Sequence, residues 1–153
     1  MESHFYQVNV TWSRDRKGTM CSPEVSAVSN GAGCLEVATP PEFPKGIPGI
    51  WSPEHLFTAA VSSCLMTTFL AIAENAKLEF LAFECKSKGK LELVNGKFLM
   101  TEILLEPFVA IKQEHDRERA EKILHKAESA CLITNSVKSK VTMSPTIILT
   151  SPL

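Results

Sequence analysis

The sequence lacks several patterns that would assign a function at once. No two of its five cysteines are spaced as Cys-x-x-Cys, and its four histidines form no His-x-x-x-His pair. The ligand spacing of a zinc site is therefore missing, and we expect no metal. The formal net charge is only -1, so no strong field recruits nucleic acid or an anionic membrane. We expect neither partner.

Residues 1–7 do not have the pattern of a secretory signal, and no internal repeat is visible. Residues 1–7 carry neither the basic patch nor the apolar run of a signal peptide, so a cytoplasmic protein is the default expectation. With 153 residues, 44% of them hydrophobic, there is enough chain for one core and hardly enough for two. We expect a single domain over residues 1–153.

Three short strands are predicted near the N-terminus. The first has the period-two alternation of a half-buried strand, with one face formed by Tyr6, Val8, Val10 and Trp12. The polar residues 13–18 predict a turn into an antiparallel return over residues 19–22. The tip of this hairpin is basic, because it contains Arg14 and Arg16. Asn30-Gly31 predicts another tight turn before a third strand over residues 33–38.

A long helix follows a loop rich in proline and glycine at residues 39–52. Ser52 is a good N-cap, Pro53 suits the first helical position, and Glu54 complements the helix dipole. His55 stands where a capping box has Glu, so we expect the box to be incomplete. The helix should run from Pro53 to about Asn75. Residues 56–73 carry no charge and are long enough to span a membrane. Hydroxyl side chains interrupt them, which favours a buried central helix.

The second half of the chain predicts a hairpin, a helix and a last strand. Residues 83–111 form two strands joined at Asn95-Gly96. The first of these strands has a lysine-rich face that indicates solvent rather than an anion site. A helix capped by Asp116 has one apolar stripe, and that stripe contains Ala120, Ile123, Leu124, Ala127 and Cys131. Residues 139–149 form a strand interrupted at Pro145, which favours an edge or a bulge.

The cysteines are the main candidates for chemistry. Cys21, Cys34 and Cys85 lie in or beside short strands and are interpreted as small core hydrophobes. Cys64, in the uncharged helix, is either a core residue or a protected nucleophile. It can meet Cys131 if their two helices pack together.

A reactive Cys64 would need help to ionise, because burial disfavours the thiolate that is the nucleophile. A cation is expected nearby, and the hairpin tip with Arg14 and Arg16 is the best local supply. Glu54 is the candidate carboxylate, but it precedes Cys64 by ten residues, roughly 15 Å along a helix. Either Glu54 only caps its own helix, or Glu54 of a second chain completes the site across a two-fold axis.

These residues together resemble the OsmC/Ohr family of hydroperoxide-reducing proteins. The resemblance rests on the sequence SPEHLF at residues 52–57 followed by Ser63-Cys64, and on Cys131 with the polar residues Thr134-Asn135-Ser136 after it. It covers nearly the whole chain. Two features depart from the family pattern, since Leu132 replaces the frequent proline after the second cysteine, and Trp12-Ser13 replaces the glycines before the arginine.

The resemblance implies an α+β fold, with antiparallel sheets packed around a long central helix, in an intertwined homodimer. It implies a two-cysteine peroxidase that reduces organic hydroperoxides, with Cys64 peroxidatic and Cys131 resolving. Arg14, or alternatively Arg16, would stabilise the thiolate and Glu54 would orient the arginine. The implied substrate pocket consists of Leu56, Phe57, Leu65 and Phe69. An external dithiol would reduce the disulfide, and no bound cofactor is needed.

Two other functions fit the same residues. One is an OsmC-like stress-associated or ligand-binding domain with little or no peroxidase activity, which Leu132 and the altered arginine turn favour. The other is a structural dimerisation module in which Cys64 contributes only to stability. An ordinary thiol pKa at Cys64 would favour the first of these alternatives over a peroxidase.

Overall fold

The computed structural model describes residues 1–28 and 33–150. The described residues form two compact units, one up to residue 56 and one from residue 57 onwards. The predicted Asn30-Gly31 turn lies outside the described residues. The fold is a mixed α+β fold, as predicted. The single domain over residues 1–153 stays a prediction.

The first unit contains a three-stranded antiparallel sheet. Its strands are β1 (Asn9–Arg14), β2 (Lys17–Cys21) and β3 (Cys34–Ala38), in the order β1-β2-β3, and a short helix α1 (Pro23–Ser26) follows β2. Asp15 adopts a positive φ of 48° in the tight turn between β1 and β2. The backbone of the following proline-rich loop returns to β3, because the amide of Ala38 donates to the carbonyl of Trp51 at 2.9 Å.

The prediction that β1 is half-buried is wrong for the isolated chain. All six residues of β1 are exposed, and Trp12 keeps 74% of its surface accessible. As the first strand in the order, β1 has only β2 as a partner. The alternation of apolar residues was read correctly as a strand, but its apolar side chains are exposed among the described residues.

Helix α2 (Pro53–Asn75) begins and ends where the sequence predicts. The expected gap in the capping box is filled by His55. The Ser52 hydroxyl accepts the amide of His55 at 3.3 Å, and the Nδ1 atom of His55 accepts the amide of Ser52 at 3.4 Å. An imidazole nitrogen therefore does what a glutamate oxygen does in the usual box.

The second unit builds its core between helices and a hairpin sheet. Strands β4 (Phe80–Val94) and β5 (Lys97–Ile111) form the predicted hairpin. Asn95 and Gly96, both with positive φ, form its turn. Helix α3 (Arg117–Ala130) follows, flanked by 3₁₀ turns at residues 114–116 and 134–136. The central residues of α2 in this core are Val61, Leu65, Phe69 and Ala73.

A glycine lets helix α2 approach the hairpin sheet closely. A Cβ atom at Gly89 of β4 would fall 2.3 Å from the Thr58 hydroxyl of α2, so a larger residue would push helix and strand apart.

The last two strands join the same sheet. Strands β6 (Lys140–Met143) and β7 (Thr146–Leu149) flank the predicted break at Pro145, but they pair with β5 in parallel. The expected antiparallel pairing is present in the first sheet and between β4 and β5, but β6 and β7 make the second sheet mixed, since α3 carries the chain back across the sheet before β6.

Helix α2 is also, among the described residues, the one helix long and apolar enough to cross a bilayer by length and composition. Core helices of soluble proteins have the same properties. Its stripe of buried residues packs on the core of the second unit, while Met66 and Leu70 remain 39% and 40% exposed. This arrangement agrees with the predicted central helix.

Candidate active site

The structure places the side chains of Cys64 and Cys131 next to each other. Cys64 lies on α2, directly before the core residue Leu65, and is half-buried. Cys131 follows the last residue of α3, completes its apolar stripe and is fully buried. Both thiols are free, and they are close enough for each to shift the pKa of the other. The contact that the sequence left open is therefore present within one chain.

The environment of Cys64 favours its thiolate. Burial raises the pKa of this thiol, but hydrogen bonds from the Cys131 thiol, the Ile133 amide, the Thr68 hydroxyl and the Leu132 amide together lower it below the ordinary value. The Thr68 hydroxyl lies 3.9 Å from the sulfur, one helical turn further along α2. No guanidinium is among these causes. Within this chain, hydrogen-bond donors rather than a cation therefore lower the pKa of Cys64.

Cys131 has the opposite tendency. Burial and the neighbouring Cys64 raise the pKa of Cys131, and the hydroxyl and amide of Thr134 only partly offset them. As the pH rises, Cys64 therefore loses its proton before Cys131 does. A two-cysteine reaction needs this order, because the sulfur that attacks first must be the more readily ionised one.

The turn after α3 holds the amides that face Cys64. The Asn135 amide donates to the Cys131 carbonyl at 3.0 Å, and the Ser136 amide donates to the Ile133 carbonyl at 2.9 Å. The Ser136 hydroxyl also donates to the Leu132 carbonyl at 2.7 Å. Because these carbonyls are engaged within the turn, the backbone between residues 131 and 133 is fixed. Sequence analysis missed Thr68 and the two amides. Only Thr68, four residues after Cys64, left a signal in the sequence.

A second group of candidate residues lines a pocket within the first unit. This open cavity of about 360 Å³ contains Arg16, Lys17 and Glu54 among mostly apolar walls. A backbone hydrogen bond fixes the position of Arg16, because its carbonyl accepts the Thr39 amide at 3.1 Å. Both arginines are exposed, but Arg14 is not among the lining residues. Of the two arginines that the sequence left open, Arg16 shares a pocket with Glu54.

The four residues expected to form a substrate pocket do not line this cavity. Leu65 and Phe69 are fully buried in the core of the second unit, and their assignment to a pocket wall stays a prediction. The ring of Phe69 packs between Phe80 and Phe83, at centroid distances of 5.3 and 5.0 Å. Helical periodicity marked these positions as apolar, but it could not separate a core residue from a pocket residue.

The other cysteines also differ from expectation. Cys21 and Cys34 form a disulfide between β2 and β3, with their Cα atoms 4.2 Å apart, so the interpretation of both as inert core thiols is wrong. Cys85 agrees with that interpretation. It is free and packs against the core, and burial raises the pKa of its thiol. Within residues 1–28 and 33–150, no cluster of three or more His, Cys, Asp or Glu residues could hold a metal ion.

The structure is thus an α+β protein with a candidate thiol-redox centre, formed by two adjacent thiols whose pKa values are shifted in opposite directions. The family model described as OsmC-like protein matches residues 46–146, and the chain belongs to this family. The uncharacterized protein YmaD of Bacillus subtilis is 24% identical over 144 residues, which cover 92% of this chain and 91% of that protein.

Solved structures share the fold. An OsmC-like protein of unknown function from Vibrio cholerae superimposes with a TM-score of 0.80 at 25% identity, over 94% of this chain and 99% of that chain. An organic hydroperoxide resistance protein from Elizabethkingia anophelis superimposes with a TM-score of 0.73 at 21% identity, over 97% and 99% of the two chains. These structures support the predicted OsmC-like fold.

Proposed function

We propose that this protein is a thiol-dependent peroxidase that reduces organic hydroperoxides to alcohols. The observation that carries the proposal is the polarised pair of Cys64 and Cys131, with the lowered pKa on Cys64 and the raised pKa on Cys131. The names of solved proteins with this fold, among them the organic hydroperoxide resistance protein of Elizabethkingia anophelis, point the same way. A cytoplasmic location, where dithiol reductants are abundant, fits this chemistry.

The proposed reaction has three balanced steps. The Cys64 thiolate attacks the outer oxygen of the hydroperoxide and breaks the O–O bond, so that the alkoxide leaves, takes a proton and becomes the alcohol. Cys64 is then a sulfenic acid. The Cys131 sulfur attacks the Cys64 sulfur and forms a disulfide, and the sulfenic oxygen leaves as water. An external dithiol returns both thiols and is itself oxidised to a disulfide. No bound cofactor takes part.

Arg16 and Glu54 are the charged groups proposed to serve this chemistry. A guanidinium stabilises both the thiolate and the oxyanion that develops on the leaving oxygen, and a carboxylate orients the guanidinium. Their common pocket has apolar walls that include Val10, Trp12 and Phe43. Such walls favour an alkyl hydroperoxide over hydrogen peroxide as the substrate. We propose that a homodimer brings the partner subunit's Arg16 and the partner subunit's Glu54 to the thiol pair. The exposed apolar side chains of β1 and α2 support such an interface.

Mass spectrometry of peroxide-treated protein tests the proposed function directly. One equivalent of an alkyl hydroperoxide is expected to release one equivalent of alcohol per chain and to leave a crosslink between the peptides of Cys64 and Cys131. Added dithiol should reverse the crosslink and allow turnover. A protein that neither consumes the hydroperoxide nor forms this crosslink would exclude the peroxidase. Its Cys64 could then serve only binding or stability.

Substitution of the two hairpin arginines should separate their roles. Arg16→Met keeps the apolar stem and removes the charge, and it is expected to lower kcat/KM for an alkyl hydroperoxide by roughly a hundredfold, the usual loss for one donor to a developing oxyanion. Arg14→Met, the matched control on the same hairpin, should stay within about twofold of the wild type, as expected for an exposed charge away from the pocket. Initial rates with saturating dithiol measure both. A larger loss for Arg14→Met would reverse the assignment.

A further inference from the structure

The disulfide between Cys21 and Cys34 is separate from the proposed catalytic thiols. Cys21 is the last residue of β2 and Cys34 is the first residue of β3, and the two are directly opposite in the antiparallel register. Cys34 is exposed and Cys21 is half-buried. An external thiolate can therefore reach the bond, and accessible disulfides are the ones that exchange readily.

The bond fixes one end of a short ladder whose other end lines a pocket. Strands β2 and β3 pair over five positions, from Cys21 opposite Cys34 to Lys17 opposite Ala38. Lys17 and Ala38 line the cavity of the first unit, together with Gly18 and Val37 of the same two strands. Strand β3 also pairs with the end of the proline-rich loop, through the bridge between Val37 and Trp51. The disulfide is thus the one covalent constraint on the pairing that forms this wall.

We propose that Cys21 and Cys34 form a second thiol–disulfide site, which a dithiol reductant opens and which controls how firmly the β2–β3 wall of the pocket is held. One thiolate of the dithiol attacks a sulfur of the bond, and the other protein cysteine leaves as a thiolate and takes a proton. The second thiol of the reductant then attacks the mixed disulfide, which releases the second cysteine and gives the oxidised reductant. Two electrons and two protons pass to the protein, and an oxidised dithiol reverses the exchange.

The consequence for the sheet follows from chain entropy. The crosslink joins positions 13 residues apart, so its loss lets the two strand ends separate more freely in open states. Local opening of the ladder should become more frequent, while no disulfide joins the hairpin of β4 and β5 to this site. Amide hydrogen exchange reports such local opening strand by strand.

The test combines differential alkylation with hydrogen exchange on the wild-type protein. The ratio of reduced to oxidised dithiothreitol is raised in steps. Cys21 and Cys34 are expected to become accessible to alkylation together, as one two-electron couple, and their disulfide should form again when the ratio is lowered. Amides of residues 35–38 should exchange roughly tenfold to a hundredfold faster in the reduced protein. Amides of residues 103–111 in β5 should not change.

Variants connect the exchange effect to this bond. The double variant Cys21→Ser/Cys34→Ser should show the fast exchange at residues 35–38 under all conditions, while Cys85→Ser should keep the full response to the dithiol. The proposal is overturned if both cysteines are already alkylated without reductant. It is equally overturned if excess dithiol leaves the bond intact in the folded protein, or if reduction leaves the exchange unchanged. None of these results depends on peroxide turnover, so the proposed peroxidase can fail or succeed independently.

Discussion

Replacing Cys64 by serine is expected to reduce the rate of alkyl hydroperoxide reduction by a thousandfold or more, on the order of the losses seen when a catalytic nucleophile is removed. The serine hydroxyl keeps the size of the side chain but stays protonated at neutral pH, so no anion is available to attack the peroxide oxygen. The wild-type thiol differs because its hydrogen bonds to Cys131, Thr68 and the turn amides lower its pKa. Initial rates of hydroperoxide loss with excess dithiol provide the measurement.

Cys85→Ser is the matched control for this variant. Cys85 is also free and half-buried, but burial raises its pKa, so its removal should leave the rate within about twofold of the wild type. Melting curves of both variants show whether the fold survives. If Cys64→Ser melts like the wild type and reduces hydroperoxide at the same rate, Cys64 is not the nucleophile and the proposed function is wrong.

Local signals were enough to predict the two helices that carry the thiols. The Ser52-Pro53-Glu54 sequence fixed the start of α2, and the apolar stripe from Ala120 to Cys131 fixed the orientation of α3. Both signals depend on chemistry within one or two turns of chain. The adjacency of Cys64 and Cys131 was a weaker expectation, because helix packing depends on contacts that no local pattern specifies.

The features that sequence analysis missed are those that depend on distant or backbone groups. The amides of Leu132 and Ile133 lower the pKa of Cys64, yet a backbone amide has the same chemistry in every residue and leaves no mark in a sequence. The pairing of Cys21 with Cys34 depends on the register of β2 and β3, and five cysteines allow many pairings. In each case the sequence predicted the helices and strands, but not which of their groups come into contact.

The exposed face of β1 is another feature that the sequence did not predict. Its alternating residues predict a strand with one covered side, and the strand exists, but in one chain those side chains are open to solvent. In the proposed homodimer, a second copy would bury apolar side chains that one copy leaves exposed, which would account for the alternation in the sequence.

Cys131→Ser should separate the first chemical step from turnover. The serine hydroxyl can still donate a hydrogen bond to the Cys64 thiolate, so release of the first equivalent of alcohol is expected to remain within about fivefold of the wild type. No disulfide can follow. Cys64 should then stay as a sulfenic acid, gain a second oxygen when more hydroperoxide is present, and become an irreversible sulfinic acid. Steady-state turnover at low dithiol concentration should fall by about a hundredfold.

The two halves of this prediction need different measurements. Rapid quenching and quantification of the alcohol report the first step, and intact-protein mass spectrometry reports one and then two added oxygen atoms on Cys64. Cys131→Ala is the informative comparison. It removes the hydrogen-bond donor to the Cys64 thiolate and should slow the first step, whereas Cys131→Ser keeps a donor and should leave the first step nearly unchanged. Undiminished turnover in Cys131→Ser, with no sulfenic acid accumulating, would mean that the external dithiol attacks Cys64 directly and that the buried second thiol only tunes the first.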